Sequence, residues 1–328
     1  MKYILLFILF LFVFSLLEMA PILITLAFPS LCYGSTTIGK IHQYLNVHWY
    51  FSYFNWICYS LLLLLCTVYA VKNIRPRILS IFVMIGCLFM LYLPLIPLLN
   101  FLNFILMICL QNKPFFHQYK DMFPASVSLE HGVDEIRKEY DSYRSAYEIE
   151  CIYMNNPGFT LENNSTPSRC WRALYLKKGG KINSYLKSQF PYTTSLLEDP
   201  QIHTAFFSSL DPEVHIPEHT GYFKGYLRYH LGIHIPPRSQ DCPGAFIVCG
   251  NEKYYWKKDE GIVFDDMYLH YVQNPTRTTR VVLYIDLIRP TNNVFLSAII
   301  KNGIWMIEHN PFIHRLLKNQ HRQKKLTS

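Results

Sequence analysis

Three long stretches almost without charge dominate what this chain can fold into. Residues 3–33 carry one charged side chain, Glu18, and residues 49–71 and 78–110 carry none. Each is longer than the roughly 20 apolar residues that take a helix across a bilayer core. At least three membrane-embedded segments are therefore expected within residues 1–110, making the chain an integral, multi-pass protein with the lipid bilayer as a partner. Lys2 ahead of the first stretch imitates a cleavable signal, but that stretch is too long for an ordinary signal core and two more follow, which favours a retained anchor. The third stretch, at about 1.5 Å per residue, would run near 50 Å as one helix, against a bilayer core of about 30 Å. Pro94 and Pro97, followed by Asn100 and Asn103, are expected to break it, leaving two short passes or one pass with an interfacial piece. Lys72, Arg75 and Arg77 mark the preceding loop as cytoplasmic. The side on which the remainder sits depends on how often the third stretch crosses, which the sequence leaves open.

With 51% hydrophobic and 16% charged residues in 328, the chain has room for one catalytic domain beyond its apolar part. The expected division is a membrane region over 1–110, a connector over 111–132, a domain over 133–292 and a basic tail over 293–328. The net charge of +8 owes much to that tail, where Lys301, Arg315, Lys318, Arg322, Lys324 and Lys325 face only Glu308. With the apolar residues of Phe295 to Leu317, it reads either as an amphipathic segment on anionic headgroups or as a solvated basic tail. No nucleic-acid-binding motif accompanies the charge, so nucleic acid is not expected as a partner. Of nine cysteines, Cys151, Cys170, Cys242 and Cys249 lie beyond the apolar region without the close spacing of a zinc or redox motif. Two bridges are possible among them, and buried thiols are the favoured reading. Asn163 and Asn164 begin N-x-[ST] sequons, which matter only in a glycosylating lumen.

Within the domain, Val133 to Tyr147 suits an exposed helix, Asn155 to Ser168 an irregular loop, and Ile182 to Phe190 a weak helix stopped by Pro191. After residue 200 the period shortens to two. Tyr226, Arg228, His230, Gly232 and His234 fall on one face of a strand, with Leu227, Tyr229, Leu231, Ile233 and Ile235 on the other. Ile262 to Phe264 and Val281 to Leu287 are further short strands, so an antiparallel barrel or jelly roll is expected. His215-Ile-Pro-Glu-His219 matches a zinc-peptidase pattern, but Pro217 opposes the helix which that chemistry requires.

A denser pattern runs from Trp171 to Pro290. Trp171-Arg-Ala-Leu-Tyr-Leu, Thr194-Ser-Leu-Leu, His219-Thr-Gly221, Leu227-Arg-Tyr-His-Leu-Gly232, Tyr255-Trp256, Phe264-Asp-Asp, His270, Arg280 and Arg289-Pro290 stand in order. Together they resemble the aspartyl/asparaginyl β-hydroxylases, including the lipid A hydroxylase branch of that family. The resemblance implies a double-stranded β-helix of jelly-roll, cupin-like form behind N-terminal transmembrane helices. It also implies an Fe(II)- and 2-oxoglutarate-dependent dioxygenase that uses O2. His219 and His270 match the iron-binding histidines, and Arg280 matches the arginine for the distal carboxylate of 2-oxoglutarate, which a planar guanidinium fork suits. Arg228, His230 and Ser208 match further co-substrate contacts.

Two residues after His219, where most such oxygenases place a carboxylate, stands Gly221. The β-hydroxylase branch shares that glycine, with water taken to complete the iron shell, and the lipid A branch has an aspartate. Asp265 and Asp266 are expected behind the ligands or in a turn, and Tyr255 and Trp256 either lining a substrate pocket or, the favoured reading, in core packing. A membrane-associated substrate is implied, either a lipid acyl chain or a peptidyl Asp/Asn side chain. The competing reading is a non-catalytic membrane adaptor that keeps the fold. It predicts loss of His270 or Arg280, and both are present.

Overall fold

Strands that alternate in burial assemble here into two facing antiparallel sheets. The computed structural model describes residues 96–149, 151, 169–238, 243–309 and 324–325. The first two apolar stretches, the start of the third, both sequons, Cys242, and residues 310–323 and 326–328 of the basic tail lie outside these residues. Helix α1 (Ile96–Cys109) leads to β1 (Phe115–Phe116), α2 (Ala125–His131), α3 (Val133–Ala146) and β2 (Tyr147–Glu148). Next come β3 (Trp171–Lys178), β4 (Lys181–Ile182), α4 (Pro191–Leu196), β5 (Ile202–Leu210), β6 (His215–His219) and β7 (Tyr226–His234). The chain continues through β8 (Phe246–Cys249), β9 (Glu252–Tyr255), β10 (Gly261–Phe264), β11 (His270–Gln273), β12 (Arg280–Ile288) and α5 (Val294–His309). The pair Lys324–Lys325 adds a short strand beside β2.

The larger sheet has the order β1-β10-β7-β12-β5-β3-β4 and the smaller β6-β11-β8-β9. From β5 onward the chain changes sheet at every connection except β8 to β9, the wrapped topology of a jelly roll. Phe206, Leu210, Phe264 and Val282 of the larger sheet meet Ile216, Ile247 and Val272 of the smaller one between the layers. The other face of the larger sheet presents Leu227, Tyr229, Leu231, Ile233, Leu283 and Ile285 to the helices, where Leu129, Ile136, Tyr140 and Tyr143 cover it. Both faces of β7 and β12 are thus buried. β6 holds Pro217 because it is an edge strand, where a missing N–H costs no ladder bond.

Four expectations are corrected. Pro191 begins a helix instead of ending one, since proline is tolerated at the first helical position, and Ser184 to Gln189 form turns. The helix over 133–146 is not simply exposed, because Val133, Ile136, Tyr140 and Tyr143 pack on the sheet. Asn100 and Asn103 do not interrupt the helix Ile96–Cys109, which also contains Pro97, and Pro94 lies outside the described residues. That helix packs on α5 through Leu99, Leu106, Leu296 and Ile300, so the domain's packing reaches back before residue 111. Finally, Cys151 and Cys170 form a disulfide, while Cys249 is a buried thiol. Among the described residues no helix is long and apolar enough to cross a membrane.

The Cys151–Cys170 bridge closes a loop with a sequence separation of 19. Closing a loop of this size removes about 3 kcal/mol of unfolded-chain entropy. Cys170→Ser should lower the unfolding free energy by about that amount in denaturant titrations of the solubilised protein, and reductant should then have no further effect.

Candidate active site

The antiparallel pairing of β6 with β11 sets His270 directly across from His219. Their ring centroids lie 4.1 Å apart. Each ring is oriented the same way: His219 Nδ1 donates to the Pro217 carbonyl at 2.8 Å, and His270 Nδ1 to the Tyr268 carbonyl at 2.9 Å. A carbonyl only accepts, so the proton sits on Nδ1 and Nε2 carries a lone pair. Burial pushes His219 down to about 3, with His270 adding to the effect. It pushes His270 down to about 4. Both imidazoles are neutral at neutral pH, the form that ligates a metal.

Gly221 closes the strand end behind His219. Its N–H donates to the Asp266 carbonyl at 2.6 Å, and a Cβ at this position would collide with the Asp266 carboxylate. The turn before β11 therefore fills the space into which a side chain at 221 would project. Asp266 is held there by Arg228, whose Nε donates to Oδ2 at 2.7 Å while Nη1 binds Asp286. Burial alone would lower the Arg228 pKa, but these two carboxylates outweigh it and hold the guanidinium firmly charged. Arg228, expected as a co-substrate contact, lines the cavity with its guanidinium paired to Asp266 and Asp286. Asp266 Oδ1 is buried without a hydrogen-bond partner.

Arg280 is the opposite case. It is 1% exposed, and among the described residues its Nε and Nη1 have no hydrogen-bond partner. Its guanidinium lies 4.6 Å from the centre of the Trp256 ring, and burial pushes its pKa down to about 9. It remains a cation at neutral pH. Beside it both ring nitrogens of His230 lack partners, and burial holds that ring well below its usual range. Phe264, Tyr284 and Trp256 surround the imidazole. Ser208 Oγ accepts from Trp171 Nε1 at 2.9 Å. Ser208, His219, Arg228, His230, His270 and Arg280 all line one cavity of about 570 Å³. Much of its remaining wall is apolar or aromatic, including Trp171, Tyr175, Phe206, Ile216, Ile247 and Val272.

The loop after His219 is fixed from outside. Asn103 of α1, fully buried, donates from Nδ2 to the Tyr222 carbonyl at 3.0 Å and accepts from the Lys224 N–H at 2.8 Å. Lys224 and Arg289 in turn share the buried Asp265 at 2.5 and 2.9 Å. Arg289 also donates to the Gln111 carbonyl. The sequence reading favoured core packing for Trp256 over a place at the pocket, and missed Asn103, Tyr284 and Asp286 as parts of this region. Alternation along β12 places Tyr284 and Asp286 on the face of Arg280, and that signal was present.

Residues 130–290 match the family described as aspartyl/asparaginyl beta-hydroxylase. An ornithine lipid ester-linked acyl 2-hydroxylase of Rhizobium tropici is 29% identical over 200 residues, covering 58% of this chain and 69% of that protein. Human aspartyl/asparaginyl beta-hydroxylase is 32% identical over 113 residues, 34% of this chain and 14% of that one. Among solved structures, a Pseudomonas putida prolyl-4-hydroxylase aligns with a TM-score of 0.30 and 11% identity over 52% of this chain and 90% of that one.

Between about pH 4 and pH 6.5 the unfolded chain binds more protons than the folded one, because the buried histidines titrate below their free value of roughly 6.5. Stability should therefore fall as pH drops through that window, by up to about 1.4 kcal/mol per pH unit for each such histidine. Denaturation midpoints of metal-free protein at pH 7 and pH 5 measure this, and His230→Gln should flatten the slope. Separately, Gly221→Asp should destabilise by about 1–3 kcal/mol through overlap with Asp266. Adding Asp266→Gly should recover most of that loss in a thermal melt.

Proposed function

Residues 130–290 belong to the aspartyl/asparaginyl β-hydroxylase family, and on that basis we propose that this protein is a membrane-bound Fe(II)- and 2-oxoglutarate-dependent hydroxylase of an aliphatic C–H bond. The single observation that carries the reading is Arg280, a buried cation without a counter-charge among the described residues, in the same cavity as two facing neutral imidazoles. A buried charge without a partner is costly, and a carboxylate ligand relieves it.

The residues present fit such a centre. His219 and His270 would hold the iron through Nε2, and no third His, Cys, Asp or Glu among the described residues joins them in a metal-binding group. Bound iron with 2-oxoglutarate and O2 would supply the oxidising chemistry, ending in hydroxylated substrate, succinate and carbon dioxide. Arg280 receives the distal carboxylate over the Trp256 ring, and Ser208 and His230 offer polar contacts beside it. Tyr284, Phe264 and Trp256 keep water from that end of the cavity. Arg228 holds Asp266 behind Gly221, leaving its Oδ1 as an acceptor near the histidines.

An acyl chain is the favoured substrate class, supported by the apolar wall of the cavity and by the 58% of this chain that aligns with the rhizobial lipid hydroxylase. The uncharged stretches of residues 1–110 support a multi-pass anchor. The Cys151–Cys170 bridge supports a non-cytoplasmic domain, since disulfides persist in oxidising compartments. Gly221, shared with the peptidyl branch, favours a second reading in which a peptidyl Asp or Asn is hydroxylated.

Purified full-length protein with Fe(II) should release succinate from 2-oxoglutarate, and His270→Ala should abolish this. Silence at every iron concentration would favour a non-catalytic adaptor. 2-Oxoglutarate should raise the melting temperature of wild type but not of Arg280→Met. The same substitution should raise KM for 2-oxoglutarate about 10- to 100-fold, the loss expected for hydrogen bonds to a charged group. Lipid and peptide pools compared between wild type and His270→Ala would identify the substrate by a mass gain of one oxygen.

A further inference from the structure

Large apolar side chains that face solvent are unevenly spread over the described residues. Ile108, Val294, Phe295 and Trp305 are each more than half exposed, at 68%, 85%, 66% and 56%. Ile108 belongs to α1 and the other three to α5. The inner face of α5, from Leu296 through Ile300 to Ile307, is buried against α1 and Phe223. Its outer face carries Val294, Phe295, Ala298, Lys301, Asn302 and Trp305, spaced as one stripe of a helix. A stripe of this kind, with a tryptophan, a phenylalanine and one lysine, suits the headgroup boundary of a bilayer.

Two features identify the occupant. Helix α1 is the end of the uncharged stretch 78–110, so the chain enters the α1–α5 pair directly from its most apolar part. The cavity opens at the same place: Glu308 and His309, the exposed last residues of α5, line it together with exposed Lys181. Trp305 and His309 stack with centroids 4.7 Å apart, which joins the stripe to that rim.

We propose that α1 and α5 form the face on which the domain rests on the bilayer, with Val294, Phe295 and Trp305 immersed at the headgroup boundary. The rim at Glu308 and His309 then opens at the membrane surface, and a substrate chain enters from lipid instead of from bulk water. This rests on the membrane-bound reading above and goes beyond it, because a domain on a stalk would satisfy that reading equally.

Trp305 is its own reporter. Full-length wild type and Trp305→Phe are reconstituted in phosphatidylcholine/phosphatidylglycerol vesicles with and without brominated acyl chains, and the fluorescence difference isolates Trp305. The proposal expects that difference to be quenched by brominated lipid and shielded from aqueous iodide. Val294→Trp, a second reporter on the stripe, should repeat the result, whereas Tyr185→Trp, 87% exposed and off the stripe, should be quenched by iodide. Carbonate washing separates the two levels of the claim. Protein that stays in the pellet while Trp305 is quenched by iodide overturns the docking face and leaves the anchor standing. Release by carbonate removes both. A Trp305 signal shielded from iodide and bromolipid alike means that another protein surface covers the stripe, and this too overturns the proposal.

Discussion

The cross-strand pairing of His219 with His270 is the constraint on which the site depends. Side chains on a strand alternate, so a slip of one residue between β6 and β11 would turn one imidazole away from the other. The register is held by elements around it: β11 is paired on its other side with β8, and each histidine is tied to a carbonyl two residues back. Sheet geometry brings the two rings together, and local hydrogen bonds decide which nitrogen faces inward.

Charge is handled differently at different depths of the same cavity. Arg228 faces two carboxylates, and Lys224 and Arg289 share one, so these cations are consumed by the fold. Arg280, stacked on an indole, has been given an aromatic platform and two unpartnered donors. Buried ion pairs add little net stability over apolar packing, and breaking one is expensive. A lone buried arginine therefore marks a place where folding alone does not complete the structure. That contrast, more than any motif, separates the scaffold around Asp266 from the receptor around Arg280.

Much of this was legible in residue spacing. Period-two alternation gave β7 its inward face through Gly232, whereas His234 turns to Asp141 of α3 and Ile235 packs between the sheets, opposite to their expected faces; the same rule on β12 extends from Arg280 to Asp286. Contacts between distant segments were not legible. Nothing local reveals that Asp266 fills the space beside Gly221, that Trp256 underlies Arg280, or that Cys151 finds Cys170, because each depends on how separate loops meet. Pro191 misled for a local reason: the same ring that ends one helix is accommodated at the start of another. Hydropathy likewise hid the part played by Asn103, one of two amides in a run otherwise suited to lipid.

That amide changes how separable the two halves of the chain are. A greasy leader that merely tethered an enzyme would be interchangeable with any other of similar length. Here one position on its last helix supplies both a donor and an acceptor to the backbone just beyond His219. Replacing residues 1–110 by another apolar segment would keep the hydrophobicity and lose the key, leaving a peptide carbonyl and an N–H to be satisfied some other way. Modular exchange of that segment is therefore limited by two hydrogen bonds, not by hydrophobicity alone.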